Sequence, residues 1–331
     1  MHPVLFHIPF TNVPIYSYGV MLGLAIIVGW NLAMWIGRDS GIPAPVLSNG
    51  IFFTVILALL GSRVLYILTN LGRFHSPLDW FNVRDGGLVA YGGFLGGALG
   101  AYLFFIRKKV AFLKVADIMS PAVALGTAIT RVGCFLYGCD FGKPTSLPWG
   151  IRFPRDSYYD RADNVWKPSP AWEMHHAGGL VGSDQPWSLP VHPTQFYESL
   201  MNLFIFAVLV WVARKKKTFD GQVFLIFTVY YGVTRALNEI LRGDDQRGAV
   251  AMLSTSQFIG LVTAAIAIVA WRFLSKRGIG PALLPGSPLL ATAGAGAGGG
   301  GGGSVGTGGG GEGEGTKAAA RGKGRGKKGR R

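Results

Sequence analysis

The chain has 331 residues, of which 49% are hydrophobic and only 15% are charged. This composition is too apolar for an ordinary soluble protein of two or three domains, so it favours an integral membrane protein. The formal net charge is +15. The two cysteines, Cys134 and Cys139, are too few for a disulfide framework, and no histidine or further cysteine completes a ligand set. We therefore expect neither a metal nor a cofactor.

Seven segments are apolar and long enough to cross a bilayer, which requires about 20 residues each. They cover residues 15–37, 49–70, 87–106, 114–136, 193–213, 221–241 and 256–274. The sequence therefore predicts an all-α integral membrane protein, with seven transmembrane helices in a single domain of residues 1–275.

Basic residues in the short loops predict the orientation. Lys and Arg cluster at 107–114, at 214–217 and at 276–277, which lie on the same side if all seven helices cross. Because cytoplasmic loops are enriched in Lys and Arg, that side is predicted to be cytoplasmic and the N-terminus to lie outside. Residues 143–191 are polar, aromatic and irregular, and we interpret them as a small extracytoplasmic cap.

Charged residues recur inside two of the predicted helices. Arg131 is the only charge in the run 118–135. One face of the sixth segment carries four polar residues, Arg235, Asn238, Glu239 and Arg242, which indicates an internal polar site. An arginine that faces lipid costs a few kcal/mol, so these arginines should face protein, water or an anion. With nothing obvious to neutralise both, the pair favours a site for an anionic lipid headgroup. The alternative is a structural ion pair, with Glu239 serving one arginine.

Several residues at helix entrances have both a functional and a structural interpretation. His192 precedes the fifth segment and is a candidate acid or base, because the pKa of histidine moves easily through neutrality. Glu198 follows it and has the alternative of pairing with an arginine. Tyr91 stands before two glycines, so its hydroxyl is a candidate for the polar centre. Tyr18 suits an interfacial anchor at least as well as a ligand contact.

The composition changes abruptly after residue 280. Residues 293–315 are nearly all glycine, and residues 317–331 are basic. Such a segment cannot bury a core, so residues 276–331 are predicted to be a disordered cytoplasmic tail. Its charge would be drawn to anionic membrane lipids. No aromatic residue interleaves the charges, and we do not expect nucleic acid as a partner.

Seven sequence motifs, taken in order, resemble the prolipoprotein diacylglyceryl transferase family. They are SYGVMLGL, GSRVLYIL, GGLVAYGGFLGG, RVGCFLYGCDFGKP, HPTQFYE, YYGVTRALNEILRGD and LSTSQ. Each motif alone is weak, but their order is specific, and together they cover about residues 1–275. The glycine-rich tail lies outside the resemblance.

The resemblance implies a seven-span enzyme of the bacterial inner membrane. Such an enzyme transfers the diacylglyceryl group of phosphatidylglycerol to the lipobox cysteine thiol of a prolipoprotein. A thioether forms and glycerol phosphate leaves, without a metal or cofactor. The implied partners are phosphatidylglycerol, prolipoprotein signal peptides and the surrounding membrane lipids.

The resemblance also implies residue roles. Arg131 matches the family's essential arginine, and Arg235 matches the arginine of its last polar helix. Glu239 and Arg242 match the family at the corresponding positions after Arg235. The residues implied for binding phosphatidylglycerol are Arg131, Arg235, Arg242, Tyr18 and Gly142. The candidate catalytic residues are Arg131, Arg235, Tyr91, His192 and Glu239.

Two positions depart from the family pattern. Many members have His-Gly-Gly where this chain has Tyr91 before two glycines, and many have asparagine where it has Cys134. A histidine base at position 91 is therefore lacking. If a base is required, Tyr91, His192 or Glu239 must supply it, or nearby positive charge must help the substrate thiol to ionise.

Two other functions remain open from sequence. A lipid transporter would have internal inverted repeats and interrupted helices, and the two halves of this sequence do not resemble each other. A phospholipid-binding relative of the same fold, without transferase activity because of Tyr91, is the second alternative.

Overall fold

The computed structural model describes residues 1–10, 13–74, 76, 80, 87, 89–160, 165–243, 249–250 and 253–290. Within these ranges the chain forms eight α-helices: α1 (Ser17–Gly37), α2 (Ala44–Thr69), α3 (Ala90–Arg107), α4 (Phe112–Tyr137), α5 (Pro170–Ala177), α6 (Thr194–Trp211), α7 (Gln222–Leu241) and α8 (Thr255–Leu274). Three antiparallel hairpins pair β1 (Val4–His7) with β2 (Pro14–Tyr16), β3 (Tyr158–Asp160) with β4 (Val165–Lys167), and β5 (Ala249–Val250) with β6 (Leu253–Ser254).

Each of the seven predicted segments contains a long helix. Five of them, α1, α2, α4, α8 and α6 with the turn that follows it, are long and apolar enough to cross a membrane. The prediction of a largely helical, multi-pass membrane protein is therefore confirmed. Helix α3 is rich in glycine, and α7 carries three polar residues near its end, Arg235, Asn238 and Glu239. That these two helices also cross the membrane, and the orientation of the bundle, stay predictions.

Local signals account for the helix ends that position the polar residues. Helix α4 ends at Tyr137 because Gly138 adopts a left-handed conformation, with φ of 88°. Helix α8 begins with a capping box, in which Ser254 and Gln257 bond each other's backbone amides. Helix α2 begins at Ala44, earlier than predicted, because Pro43 and Pro45 suit a first helical turn.

Glycines allow two helix pairs to pack backbone to backbone. A Cβ on Gly61 of α2 would lie 2.5 Å from the carbonyl oxygen of Gly92 in α3 and 2.9 Å from the Cα of Gly96. In the same way, Gly260 of α8 lies against Gly232 of α7, where an added Cβ would be 2.8 Å from the carbonyl oxygen. Membrane helices favour small residues at such contacts, because these residues allow the backbones to approach closely. This packing places Tyr91 beside α2 and holds α7 against α8.

Residues between α4 and α6 form a small packed unit. Its core contains Phe141, Phe153, Ala171 and Val191, all nearly inaccessible to solvent. The two adjacent histidines belong to this packing, because His175 Nδ1 accepts from the amide of Leu189 at 3.3 Å and His176 stacks on Trp172. The prediction that this unit is an extracytoplasmic cap depends on the orientation and stays a prediction.

The chain beyond α8 stays attached to the helices up to Leu290. The amide of Ala111 donates to the carbonyl of Ala282 at 2.9 Å, and the amide of Leu284 donates to the carbonyl of Lys109 at 2.8 Å. The first part of the predicted tail, 276–290, thus belongs to the helical unit. Residues 291–331 lie outside the described residues.

Candidate active site

Three arginines and three carboxylates meet near the C-terminal ends of α4 and α7 and the N-terminal end of α6. The arginines come from α4, from α7 and from the residue that follows α7, and the carboxylates come from the turn after α4, from α6 and from α7. Their side chains expose between 4% and 20% of their surface. The six members of this arginine–carboxylate cluster are Arg131, Asp140, Glu198, Arg235, Glu239 and Arg242.

Glu198 stands at the centre of the cluster. One of its oxygens pairs with Nε of Arg131, and the other lies 3.2 Å from Nη1 of Arg235. The side-chain amide of Asn238 donates to the same carboxylate at 2.5 Å. Since Glu198 occupies the first turns of α6, one buried carboxylate connects α4, α6 and α7.

Asp140 forms a second junction in the turn beyond α4. One oxygen accepts from Nη1 of Arg131 at 2.6 Å, and the other pairs with Nη2 of Arg242. Asp140 itself has a left-handed backbone, with φ of 58°, which an aspartate tolerates better than most residues. Its carbonyl accepts from the Thr194 hydroxyl at 2.6 Å, so the turn is tied to the start of α6.

Each predicted arginine is therefore paired with carboxylates, and the expectation that nothing neutralises both was wrong. Arg131 pairs with Asp140 and Glu198, while Arg235 pairs with Glu198 and, at 2.7 Å, with Glu239. The structure contains the alternative that the sequence offered, because Glu239 forms an ion pair with Arg235. A bound anion must consequently use guanidinium N–H groups beyond these pairs or displace a carboxylate.

Tyr91 is connected to the cluster by hydrogen bonds through one intervening residue, Ser256. Its hydroxyl is 3.1 Å from the Ser256 hydroxyl, which also accepts from Nη2 of Arg235 at 3.4 Å. Ser256 is buried in the first turn of α8. The structure thus brings Tyr91 to the polar centre, and it does so through a serine that sequence reasoning did not single out.

His192 points its ring toward the cap. The ring Nδ1 lies 3.4 Å from the hydroxyl of Tyr197, which also accepts from the indole N–H of Trp149 at 2.8 Å. In the described part of the chain, the His192 ring forms no ion pair with the three carboxylates of the cluster. Its backbone, by contrast, is close to the site, because its carbonyl accepts from the amide of Gly142 at 2.9 Å.

Tyr18 and Gly142 lie at the edge of the cluster and have packing roles. A Cβ on Gly133 of α4 would lie 3.2 Å from the Cα of Tyr18, so α1 packs closely there. A Cβ on Gly142 would lie 2.5 Å from that of His192 and 2.9 Å from the carbonyl oxygen of Leu241. The turn that carries Asp140 can therefore fit between α6 and α7 only with glycine at position 142. Contact of either residue with substrate stays a prediction.

The two thiols lie beside the cluster. The sulfur atoms of Cys134 and Cys139 and an oxygen of Asp140 lie within 4.8 Å of one another. This group is one ligand short of a closed zinc site, and both oxygens of Asp140 already receive arginines. A hydrogen bond with Cys134 and burial raise the pKa of the Cys139 thiol, so that thiol is protonated at neutral pH.

Comparison with known proteins identifies the family. The family model for prolipoprotein diacylglyceryl transferase matches residues 3–273. The chain belongs to the prolipoprotein diacylglyceryl transferase family. The match contains all six members of the arginine–carboxylate cluster and ends before the glycine-rich tail.

Curated relatives from distant bacteria carry the same name, phosphatidylglycerol–prolipoprotein diacylglyceryl transferase. The enzyme of Clostridium tetani is 34% identical over 81% of this chain and 96% of its own length. That of Corynebacterium diphtheriae is 33% identical over 80% of this chain and 90% of its own. That of Burkholderia multivorans is 34% identical over 77% of this chain and 91% of its own. The resemblance drawn from the motifs is thereby confirmed.

Sequence reasoning missed four residues of this member of the transferase family as site residues. Asp140 lies inside the motif RVGCFLYGCDFGKP, and its acidic side chain next to a glycine-rich turn was the available signal. Glu198 was left open between a site residue and a partner for one arginine, whereas it pairs with two. Asn238 was placed on the polar face of the sixth segment but without a role, and Ser256 was not singled out; both gain their contacts through helix packing.

Proposed function

We propose that this protein transfers the diacylglyceryl group of phosphatidylglycerol to the lipobox cysteine thiol of prolipoproteins. The observation that carries the proposal is the arginine–carboxylate cluster within a chain of this transferase family. Preorganised guanidinium groups in a site with little water suit a reaction in which a phosphate departs with negative charge.

The substrate thiolate is the nucleophile. It attacks the glycerol carbon that bears the phosphate, a carbon–sulfur bond forms, and the carbon–oxygen bond to phosphate breaks. The electron pair of that bond leaves with glycerol phosphate, and the thiol proton passes to a base. No step requires an enzyme cysteine.

Arg131 and Arg235 are assigned to the departing phosphate. Both are held by Glu198, so their guanidinium planes are fixed before the lipid arrives. Each guanidinium has five N–H donors, and the carboxylates occupy only part of them. Arg242 orients Asp140, and Asp140 in turn orients Arg131. Arg242 therefore contributes to the binding of phosphatidylglycerol indirectly, through these two residues.

Three residues are candidates for the base. The Tyr91 hydroxyl is connected to Arg235 through Ser256, whereas Glu239 shares its carboxylate with Arg235 and Arg242. His192 has the side chain best suited to proton transfer near neutral pH. Single variants Tyr91→Phe, His192→Gln and Glu239→Gln separate them, because loss of the base alone shifts the pH dependence of turnover.

The same proposal includes the setting of the enzyme. It is a protein of the bacterial inner membrane with seven spans, an outside N-terminus and a cytoplasmic C-terminus. The cap between α4 and α6 then lies over the cluster on the outer side, where a prolipoprotein signal peptide presents its cysteine. Basic loops at 107–114 and 214–217 support this orientation.

A transfer assay tests the function. Purified full chain, phosphatidylglycerol and a lipobox peptide are combined, and the thioether-linked product is sought by mass spectrometry. Product is expected with the wild type and a loss of about 100-fold or more with Arg131→Ala and with Arg235→Ala. Lack of product from a folded wild type that still binds phosphatidylglycerol would favour the alternative, a lipid-binding relative without transferase activity.

A further inference from the structure

A polar cavity lies at the opposite end of the helices from the arginine–carboxylate cluster. It encloses about 390 Å³ between the C-terminal end of α1, the start of α4 and the residues that follow α6. Lys114 in this cavity and Arg131 in the cluster stand 17 residues apart on α4, which corresponds to about 26 Å along a helix. The charged residues that line the cavity are Asp39, Lys114, Asp117, Arg214, Lys215 and Lys217.

Lys114 is a buried lysine whose ammonium group has more N–H donors than its carboxylate partner, Asp220, can use. Its side chain is only 8% exposed, and Asp220 is its carboxylate partner among the described residues, at 3.4 Å. An ammonium group offers three N–H donors, and a buried cation without matching acceptors is costly. The cavity is the space into which a further acceptor would fit.

The acidic residues near Lys114 are already committed to other partners. Asp117 accepts from the backbone amides of Gly221 and Phe224 at 2.8 and 2.9 Å, and so fixes the start of α7. Its partner at 2.9 Å is Lys217, and Asp220 accepts from the amide of Gly280 at 3.0 Å. These carboxylates serve the fold. The cavity lining has four basic side chains against two acidic ones, and with Asp220, which pairs with both Lys114 and Lys217, the balance is four basic to three acidic.

An irregular turn brings the remaining basic residues to the cavity. After α6 the chain forms a π-helical turn, Val212–Lys216, a geometry that is often associated with functional sites. Arg214 in this turn lies over the ring of Trp35 at 4.4 Å and pairs with Asp39 at 3.0 Å, so its position is fixed. Lys215 lines the same cavity and is exposed.

We propose that this cavity binds the phosphate group of an anionic ligand. Its volume is in the range of ligand sites, and its lysines and arginine come from two separate parts of the chain, the start of α4 and the residues that follow α6. A cavity at this end of the spanning helices lies at the level of lipid headgroups, where basic residues attract anionic lipids. A phospholipid headgroup and free phosphate offer the same chemistry, and this site is distinct from the one used for transfer.

The test uses the full chain in neutral detergent micelles. Dioleoyl phosphatidylserine, dioleoyl phosphatidylcholine and inorganic phosphate serve as probes, with native mass spectrometry for bound lipid and thermal unfolding for phosphate. Lys114→Gln and Lys215→Gln are the cavity variants. Lys276→Gln, which removes an exposed charge outside the cavity, is the matched control. Lys215 is exposed and forms no ion pair within the described residues, so its replacement keeps the test valid if Lys114→Gln does not fold.

For a lipid ligand, the affinity for phosphatidylserine falls about five-fold with each cavity variant, whereas Lys276→Gln leaves it unchanged. Phosphatidylcholine is expected to bind more weakly than phosphatidylserine. For free phosphate, millimolar phosphate raises the unfolding temperature of the wild type and not that of the cavity variants. If wild type and cavity variants bind phosphatidylserine equally and respond equally to phosphate, the proposal is overturned.

Discussion

Glu198 of α6 accepts a hydrogen bond from Arg235 of α7 at 3.2 Å, across 37 positions of the sequence. Its other carboxylate oxygen pairs with Arg131 of α4. The two arginines assigned to the departing phosphate therefore share one buried counter-ion. Because removing one member of a buried ion pair leaves an uncompensated charge, the three residues should respond to mutation as a unit.

Replacing Glu198 by glutamine tests this coupling. The substitution keeps the volume and a carbonyl acceptor but removes the negative charge between the two arginines. We expect turnover to fall by about 100-fold, because guanidinium groups displaced by an ångström no longer meet the phosphate. Thioether formation on a lipobox peptide measures the effect, with Glu173→Gln on the exposed face of α5 as control. Full activity of Glu198→Gln would show that the shared counter-ion is dispensable.

The substitution Arg131→Lys keeps the positive charge but removes the planar guanidinium group, whose N–H donors can bond two carboxylates at once. Arg131 contacts both Asp140 and Glu198, a geometry that a lysine ammonium cannot reproduce. The expected loss of kcat/KM is about 100-fold, close to that of Arg131→Ala. The control is Arg272→Lys, at an exposed position in the last turn of α8, which should leave the rate unchanged. A lysine variant with nearly wild-type kcat/KM would mean that charge alone is sufficient.

Gly61→Ala should destabilise the pair α2–α3. The new methyl group would lie 2.5 Å from the carbonyl oxygen of Gly92, and backbone atoms cannot move aside as a flexible side chain can. A loss of about 1–3 kcal/mol of folding free energy is expected, measured as a lower unfolding temperature in detergent. Gly23→Ala in α1 meets nothing within 4 Å and is the matched control. Equal stability of the two variants would contradict the close packing.

The cap should lose stability in acid because of His175. Burial lowers the pKa of this histidine, whose Nδ1 accepts from the amide of Leu189. The unfolded state then binds the proton more readily, so stability is complete above the unfolded pKa of about 6.5 and is lost as the pH falls below it. Hydrogen exchange of the cap amides between pH 7 and pH 5 measures this change.

His175→Asn is the variant for that experiment, since it offers an acceptor near the position of Nδ1 but does not titrate. Its cap should show a weaker dependence of exchange protection on pH than the wild type, after correction for intrinsic exchange. An identical pH dependence in the two proteins would assign the acid sensitivity to other groups.

Hydrophobic patterning predicted the helices well because their lengths and apolar runs are local properties. All seven segments contain long helices, and Gly92 and Gly96, which stand four residues apart, lie at a close contact between α2 and α3. The predicted start of the tail at residue 276 followed from the end of the last predicted helix and from the change of composition after residue 280. Residues 276–290 pack on the helices through backbone hydrogen bonds, which composition does not reveal.

The site was harder to predict because its pairings join distant parts of the chain. Arg131 and Arg235 were found as charges in apolar helices, but their shared partner Glu198 lies on a third helix. Asp140 lies in a turn whose course depends on the left-handed Gly138 and on the close fit of Gly142. The resulting balance of charges appears only once the fold brings these elements together.

The most direct test of the account is the stoichiometry of phosphate release. Phosphatidylglycerol and lipobox peptide are incubated with the wild-type protein, and thioether peptide and free glycerol phosphate are quantified in the same sample. One glycerol phosphate is expected for each thioether formed, and both products should be lost together in Arg131→Ala. Release of lysophosphatidylglycerol, or a peptide that carries acyl chains without glycerol, would contradict diacylglyceryl transfer at this site.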